Sequence, residues 1–482
     1  MDESLPAGKC SSIQISSLQG CATTRLDVAT PLELQQRCRA LCTQEPIVRL
    51  LRALPEVCQP HLVGGMLRDL AQGITPDDFD LATKSTPQEN QERCQALGLR
   101  TIDTGLKHGT ISVLVGDACV EITTFRKPAA TQPDDYSDNI VTDLAGRDFT
   151  INAIAFALHQ HEIVDPYAGL SDLKAGLLRA VGDPQQRFNE DPLRMLRMLR
   201  FGPAAGRQVE AATLAAAQTL TPRIAHVSPE RIRSELEQIL VSPHVSAALR
   251  MMQQTGLLAL VLPEALPSIG FEQNEYHIED VFEHTLSVVQ RCPAQLRLRL
   301  VGLFHDLGKP ASFSVGEDGR RHFFKHEQIS HDIAKSVMER LRFSTEEIRA
   351  VTSLVALHMR PFECGPQGVR RLLRDLGPLF EEWRSFKMAD RTPTMDRTEF
   401  DRRVQEFDRL LAAELARVQG SVFSRLEVSG SDIMQLGIPQ SPRVGQILAQ
   451  LRERVLEQPE LNQREKLLEL AREMVGTGET QE

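Results

Sequence analysis

Apolar residues recur every three to four positions between Leu32 and Thr43, with Leu34, Cys38 and Leu41 on one face, which predicts an amphipathic helix. A second short helix is expected from Pro46, carrying Ile47, Leu50, Leu51 and Leu54. The texture then changes. His61 to Gly65 (HLVGG), Thr110 to Val115 (TISVLV) and Cys119 to Phe125 (CVEITTF) are short apolar runs between Gly and Asp turns, and they predict strands. Ile151 to Leu158 and the Asp165-Pro166 turn close this α/β portion. From Ser171 onward the pattern is helical, with breaks at Pro184, Pro203, Pro222, Pro243 and Pro263 and a polar loop expected at Ser314 to Arg321. Residues 473–482 read as a frayed end.

The pattern divides the chain into a disordered tail (1–30), an α/β head (31–160), a helical neck (161–270), a second helical domain (271–395) and a helical tail (396–482). A length of 482 residues agrees with several domains, and 41% hydrophobic with 25% charged residues describes an ordinary soluble globular chain. The net charge of −10 argues against broad coating of nucleic acid, while leaving room for a local basic stripe. Nine cysteines, an odd count without a C-x-x-C pair, fit a reducing cytoplasm better than a disulfide framework. The first thirty residues lack the order of a signal peptide. Apolar stretches such as Gly256 to Leu262 are too short to cross a bilayer, so no membrane partner is expected.

Two constellations carry chemistry. In the first, Val63-Gly64-Gly65-Met66-Leu67-Arg68-Asp69 joins a predicted strand to a predicted helix, where glycines let the backbone approach a phosphate and Arg68 adds charge. Asp78-Phe79-Asp80 follows. On an extended strand these two carboxylates share a face and repel unless a divalent cation or solvent balances them. A solvated acidic turn is the plain alternative for a lone D-x-D pair. Glu121, on another predicted strand, offers a third carboxylate for a two-metal in-line displacement.

GGMLRD, DFDLAT, HGT (His108 to Thr110), VEITTFR, GRDFTINA (Gly146 to Ala153), EDPLRMLRMLRF (Glu190 to Phe201) and SPERIRSEL (Ser228 to Leu236) occur in that order. Over roughly residues 60–240 the chain therefore resembles the class II tRNA nucleotidyltransferase and bacterial poly(A) polymerase family. The resemblance implies an α+β fold, with a polymerase-β-like head before an all-α neck. It implies Asp78 and Asp80 as Mg²⁺ ligands, and Gly65, Arg68, Arg147, Arg194 and Arg197 as nucleotide contacts. It also implies tRNA, CTP and ATP as partners. One departure is Gly146, where the family usually carries a first arginine.

Asp191 and Arg194, at i and i+3, are expected on one face of a predicted helix, either as a salt bridge or as a base reader. Cytosine and adenine both place an amine donor beside a ring-nitrogen acceptor. Asp191 can accept from the first while Arg194 donates to the second, and uracil or guanine would set like against like. The resemblance favours the second role. The connector of residues 127–142, between Arg126 and Asp143, is short for the family, which raises addition of CC alone.

In the second constellation, His284, the doublet His305-Asp306, His326, His358 and Asp390 follow one another. The order resembles the HD metal-dependent phosphohydrolase superfamily. It implies a second divalent metal held by His284, His305, Asp306 and Asp390, with His326 and His358 binding phosphate or another metal. His277 is accessory or structural. Residues 428–472 resemble the tail of the same nucleotidyltransferases, and Arg194 to Arg207 and Arg370 to Arg374 are candidate RNA-facing stripes. A bacterial poly(A) polymerase, or an HD phosphohydrolase acting on RNA ends, is the competing reading; an acidic, HD-bearing chain fits the first of these poorly.

Overall fold

The computed structural model describes residues 28–76, 78–105, 109–128, 135–273, 279–317, 319–391, 396–417 and 426–476. His108, His277 and residues 129–134 of the short connector lie outside them. The described chain divides into two compact units, with the boundary between Val261 and Leu262.

The first unit opens with the helix Pro31–Leu41. Thr30 accepts from the Glu33 backbone while the Glu33 carboxylate reaches back to the Thr30 N–H, a reciprocal cap, and Leu34, Cys38 and Leu41 are buried as the spacing predicts. The helix Glu45–Ala53 follows. Seven strands then form one sheet: β1 (His61–Val63), β2 (Phe79–Thr83), β3 (Arg100–Gly105), β4 (Thr110–Val115), β5 (Ala118–Thr124), β6 (Ala155–Ala157) and β7 (Glu162–Val164). Their spatial order is β3-β4-β5-β2-β1-β6-β7. Only β2 and β5 pair in parallel; every other pairing is antiparallel. Val63, Ala82, Phe125, Leu144 and Ala155 meet in one buried cluster beneath the centre of this sheet, fixing the β1 and β2 ends that carry the glycines and carboxylates.

Two short strand pairs interrupt the stretch expected to be helical almost throughout. β8 (Leu177–Leu178) lies parallel to β9 (Gln208–Val209). β10 (Phe313–Val315) and β11 (Arg321–Phe323) make a hairpin out of the segment expected as a polar loop. Its aromatic and β-branched flanks favour strands, while Gly316 and Gly319 supply the turn, with Gly319 at φ 75°.

The arginine stripes also differ from expectation. The Arg194 helix ends at Phe201, and Arg207 turns inward to the Phe201 carbonyl (2.9 Å) and Gln72 (2.8 Å). On the helix Pro366–Leu376, Arg370 is buried and bonds Glu414 (2.7 Å) and the carbonyls of Leu456 and Glu457. Arg371 and Arg374 pair with Glu453. These side chains hold helices together, because acidic residues of the helix Pro442–Glu457 face them. That helix shares a separate apolar cluster with Leu426, Ile433 and Leu467.

Candidate active site and candidate metal centre

β1 ends at Val63, and Gly64 takes φ 80°, a conformation that L side chains rarely adopt. A Cβ at Gly64 would lie 3.4 Å from an Asp80 carboxylate oxygen and 3.7 Å from the Arg147 guanidinium. The glycine thus lets the main chain close onto both charges. Asp80 lies opposite Glu121 in the parallel β2–β5 register, so the two side chains share a face of the sheet. Asp78 sits in the bend just before β2 and is exposed. Burial pushes the Asp80 carboxyl up, and the charges of Glu121 and Asp78 push it the same way against Arg147. Mutual repulsion of this kind is what a divalent cation relieves, although among the described residues the three oxygens are not drawn together into one ligand set.

Opposite them, a cleft of about 670 Å³ is lined by Arg68, Arg147, Arg194, Arg197, Arg200 and Arg231, together with Gly64, Gly65, Asp78, Asp80 and Asp191. Most of the arginines are held in place. Arg68 bonds Asp69 (2.9 Å) and Asn152 (2.8 Å), Arg147 bonds Asp143 (3.1 Å), and Arg197 bonds Asp148 (2.7 Å). Arg68, Arg197 and Arg200 also place their guanidinium carbons 4.8, 5.2 and 4.2 Å from the centre of the Phe201 ring. Arg200 Nε lies 3.2 Å from buried Glu235 without hydrogen-bond alignment to it. A cluster of fixed guanidinium groups is suited to a polyanion such as a triphosphate.

Asp191 and Arg194 do not share a helix. Asp191 is the extended residue (φ −145°, ψ 101°) that ends the helix Pro184–Glu190, and Arg194 begins the helix Arg194–Phe201. Pro192 is the cause, because a proline's ring crowds the preceding residue out of helical geometry. Nor do their side chains pair, although the Arg194 N–H donates to the Asp191 carbonyl (3.0 Å). Asp191 accepts from the Leu193 backbone (3.1 Å) and from Arg231 (2.8 Å), while Arg194 donates to Glu190 (3.0 Å) and to the Gly146 carbonyl (2.9 Å). Both still line the same cleft.

Arg200, Arg231, Asp148 and Asn152 were not singled out from the sequence. The three-residue spacing of Arg194, Arg197 and Arg200 was the available signal for the first; Asp148 stands inside GRDFTINA.

In the second unit, His284 comes from the helix Val281–Arg291, and His305-Asp306 follows the helix Leu296–Phe304. His326 opens the helix His326–Arg340, His358 follows Thr345–Ala356, and Asp390 caps Phe380–Ala389. Sequence-distant ends therefore meet at one point. His284 Nε2 lies 3.4 Å from both Asp306 and Asp390, and His305 Nε2 lies 3.2 and 3.5 Å from them. The other Asp306 oxygen lies 3.3 Å from His326 and 3.6 Å from His358. The ligand atoms fall into two sets, His284–His305–Asp306 and Asp306–His326–His358, with Asp306 common to both.

Hydrogen bonding decides what these sets can hold. His305, His326 and His358 place Nδ1 against the carbonyls of Gly302, Phe323 and Val355 at 2.8, 2.8 and 2.7 Å. Each Nδ1 then donates to its carbonyl, and each Nε2 is aimed inward, where it can ligate a metal once it carries no proton. Nε2 atoms face each other at 3.3 Å (His284–His305) and 3.1 Å (His326–His358), close enough to share a proton or to ligate one cation together. Lys309 adds an ammonium 2.6 Å from Asp306. Burial lowers the His305 imidazole, but Asp306 and Asp390 more than offset it, and it stands at about 10. Asp306 and Asp390 are held well below the usual carboxylate range: burial opposes this, and the surrounding histidines, with Lys309 beside Asp306 and Lys387 beside Asp390, outweigh it.

Three family models match the chain: Poly A polymerase head domain (residues 60–179), "Probable RNA and SrmB- binding site of polymerase A" (207–268) and HD domain (277–413). The A-adding tRNA nucleotidyltransferase of Deinococcus radiodurans is 30% identical over 413 residues, covering 81% of this chain and 90% of that one. The CCA-adding enzyme of Anoxybacillus flavithermus is 30% identical over 348 residues, covering 69% and 80%. Among solved structures, the Bacillus stearothermophilus CCA-adding enzyme in complex with CTP superposes with a TM-score of 0.66 at 25% identity, over 90% of this chain and 98% of that chain.

Proposed function

This chain belongs to the tRNA nucleotidyltransferase family that includes the CCA-adding enzymes, and from that premise we propose that it extends tRNA 3′ ends with C and A, taken from CTP and ATP without a template. The observation that carries this reading is the cleft itself, where Asp78 and Asp80 line one cavity with six guanidinium groups, and Glu121 lies in register with Asp80 on the neighbouring strand. Arg68, Arg147, Arg197 and Arg200 bind the triphosphate, and the close approach at Gly64 and Gly65 sets its α-phosphorus against the carboxylates. Asp191 accepts from the base's exocyclic amine. Arg194 retains Nε and one Nη2 hydrogen beyond its bonds to Arg187, Glu190 and Gly146, and it donates to the ring nitrogen. Asp78 and Asp80, with Glu121, would hold Mg²⁺, which would supply activation of the tRNA 3′-hydroxyl and charge neutralisation of the leaving pyrophosphate.

Sequencing the 3′ end made on tRNA lacking its CCA, with all four nucleotides present, tests this: CCA ends are expected. A run of A would return the poly(A) polymerase reading. The short connector at 127–142 favours a second reading, CC alone, and the A-adding relative makes A alone a third distinguishable product. For the second unit we propose hydrolysis of phosphate esters on divalent metal held by His284, His305, Asp306 and Asp390, with Mn²⁺, Ni²⁺, Fe²⁺ or Zn²⁺ matching the imidazole-carboxylate donors. His326 and His358 hold a second ion or the ester phosphate. The cytoplasm is the compartment that a tRNA substrate and seven reduced cysteines among the described residues favour. No helix among the described residues is long and apolar enough to cross a membrane.

A further inference from the structure

We propose that the groove between the helices His326–Arg340 and Thr345–Ala356 is a docking surface for the sugar-phosphate backbone of the tRNA, held by Lys335, Arg342 and Arg349. The proposal rests on the tRNA reading above and adds a surface for the RNA within the second unit.

The groove is a cavity of about 710 Å³. His331, Lys335 and Glu339, spaced for one helix face, line one side of it, and Arg349 and Thr352 line the other. Lys335, Arg342 and Arg349 stand there against the single carboxylate of Glu339, in a chain whose net charge is −10. All three cations are exposed. Among the described residues, neither Lys335 nor Arg349 pairs with a carboxylate. By contrast, Arg297, Arg340, Arg370, Arg374 and Arg384 of the same unit are each paired with one. The arginine runs that the sequence offered for RNA are thus spent on packing, while this groove keeps its charge for something outside the chain.

Arg342 supplies an independent observation. Its φ is 60°, in the left-handed region. The first helix closes there, with the Arg342 N–H donating to the Glu339 carbonyl (3.1 Å) and the Phe343 N–H to the Met338 carbonyl (3.0 Å), a closure in which glycine is the usual residue. An arginine held in that conformation is strained, and the strain points to a use for its side chain. Phe343, which also lines the groove, is only 9% exposed, so the surface offers charge without a ring for base stacking. Cations on two helices and on the turn between them suit the repeating phosphates of a strand, and such contacts hold RNA without reading its sequence.

The test uses the full chain and tRNA lacking its CCA end. In the wild type, bound tRNA should slow acetylation of Lys335 by acetic anhydride, read by mass spectrometry, and inorganic pyrophosphate should not. Lys335→Ala combined with Arg349→Ala should raise Kd and KM for tRNA about tenfold at low salt and lower the slope of log Kd against log salt by about 1.5, the share of two phosphate contacts. The kcat and the KM for CTP should not change. Lys335→Arg with Arg349→Lys should keep the wild-type slope. Arg342→Gly, which suits the backbone there, should weaken tRNA binding without lowering the Tm. An unchanged slope in the alanine pair, or no protection of Lys335 by tRNA, overturns the proposal. Equal protection by pyrophosphate also overturns it and leaves a small-anion site. A wild type that binds tRNA but adds no nucleotide overturns the nucleotidyltransferase reading instead, and the protection result then decides the groove separately.

Discussion

At the scale of single residues, the active cleft is a place of stored repulsion. Asp80 is half-buried beside Glu121 and Asp78, and its carboxyl is pushed up. A raised carboxyl contributes stability that is present below its unfolded value and lost as pH rises through the folded one, so at neutral pH the ionised group works against folding. Asp80→Asn is therefore expected to abolish nucleotide addition while raising the Tm of the metal-free protein, and to remove the Tm gain that Mg²⁺ gives the wild type; paired thermal melts check this. Asp191→Ala should cost CTP and ATP about 5- to 150-fold against UTP and GTP, the equivalent of one lost buried hydrogen bond, measured by competition. The chemistry at these positions was legible because carboxylates, glycines and arginines recur in ordered motifs. The pairing was not, since i to i+3 spacing was read through a proline. Asp191-Pro192 was the overlooked signal, and the true partners, Glu190 and Arg231, follow once the helix is broken there.

Among elements, β1, β4 and β5 of the head were legible from short apolar runs, whereas β3 and β7 were not, and the first helix was legible from its periodicity. The hairpin β10–β11 was missed because its tip, Gly316 to Arg320, reads as a loop whether or not strands flank it. Arginine runs misled for another reason: a stripe of charge looks alike in sequence whether it meets RNA or a facing row of glutamates. Arg370 and Glu414 are 4% and 5% exposed, so Arg370→Ala leaves a buried carboxylate without its partner. A loss of about 3–5 kcal/mol is expected in chemical denaturation, with tRNA affinity unchanged in the folded protein.

At the scale of the molecule, each unit carries its own charged centre, and linkage to ligands should be local. Mg²⁺ with CTP is expected to slow amide exchange around residues 63–80 and 191–200, and a transition metal around 284–306 and 326–358, as hydrogen-exchange mass spectrometry would read. The metal-free second unit should also be sensitive to alkali. His305 stands at about 10, so its contribution is complete below about 6.5 and fades as pH rises through that folded value, a window that melts between pH 6 and 10 would trace. The metal must displace that proton, and loading should tighten with pH. Asp306, finally, gives one oxygen to His284 and His305 and the other to His326 and His358. In genetic language, changing it is a one-codon lesion that strikes both ligand sets of the second unit at once and spares every residue of the arginine-lined cleft. The growth defect of a strain carrying that allele would reveal what the second half of the gene is for.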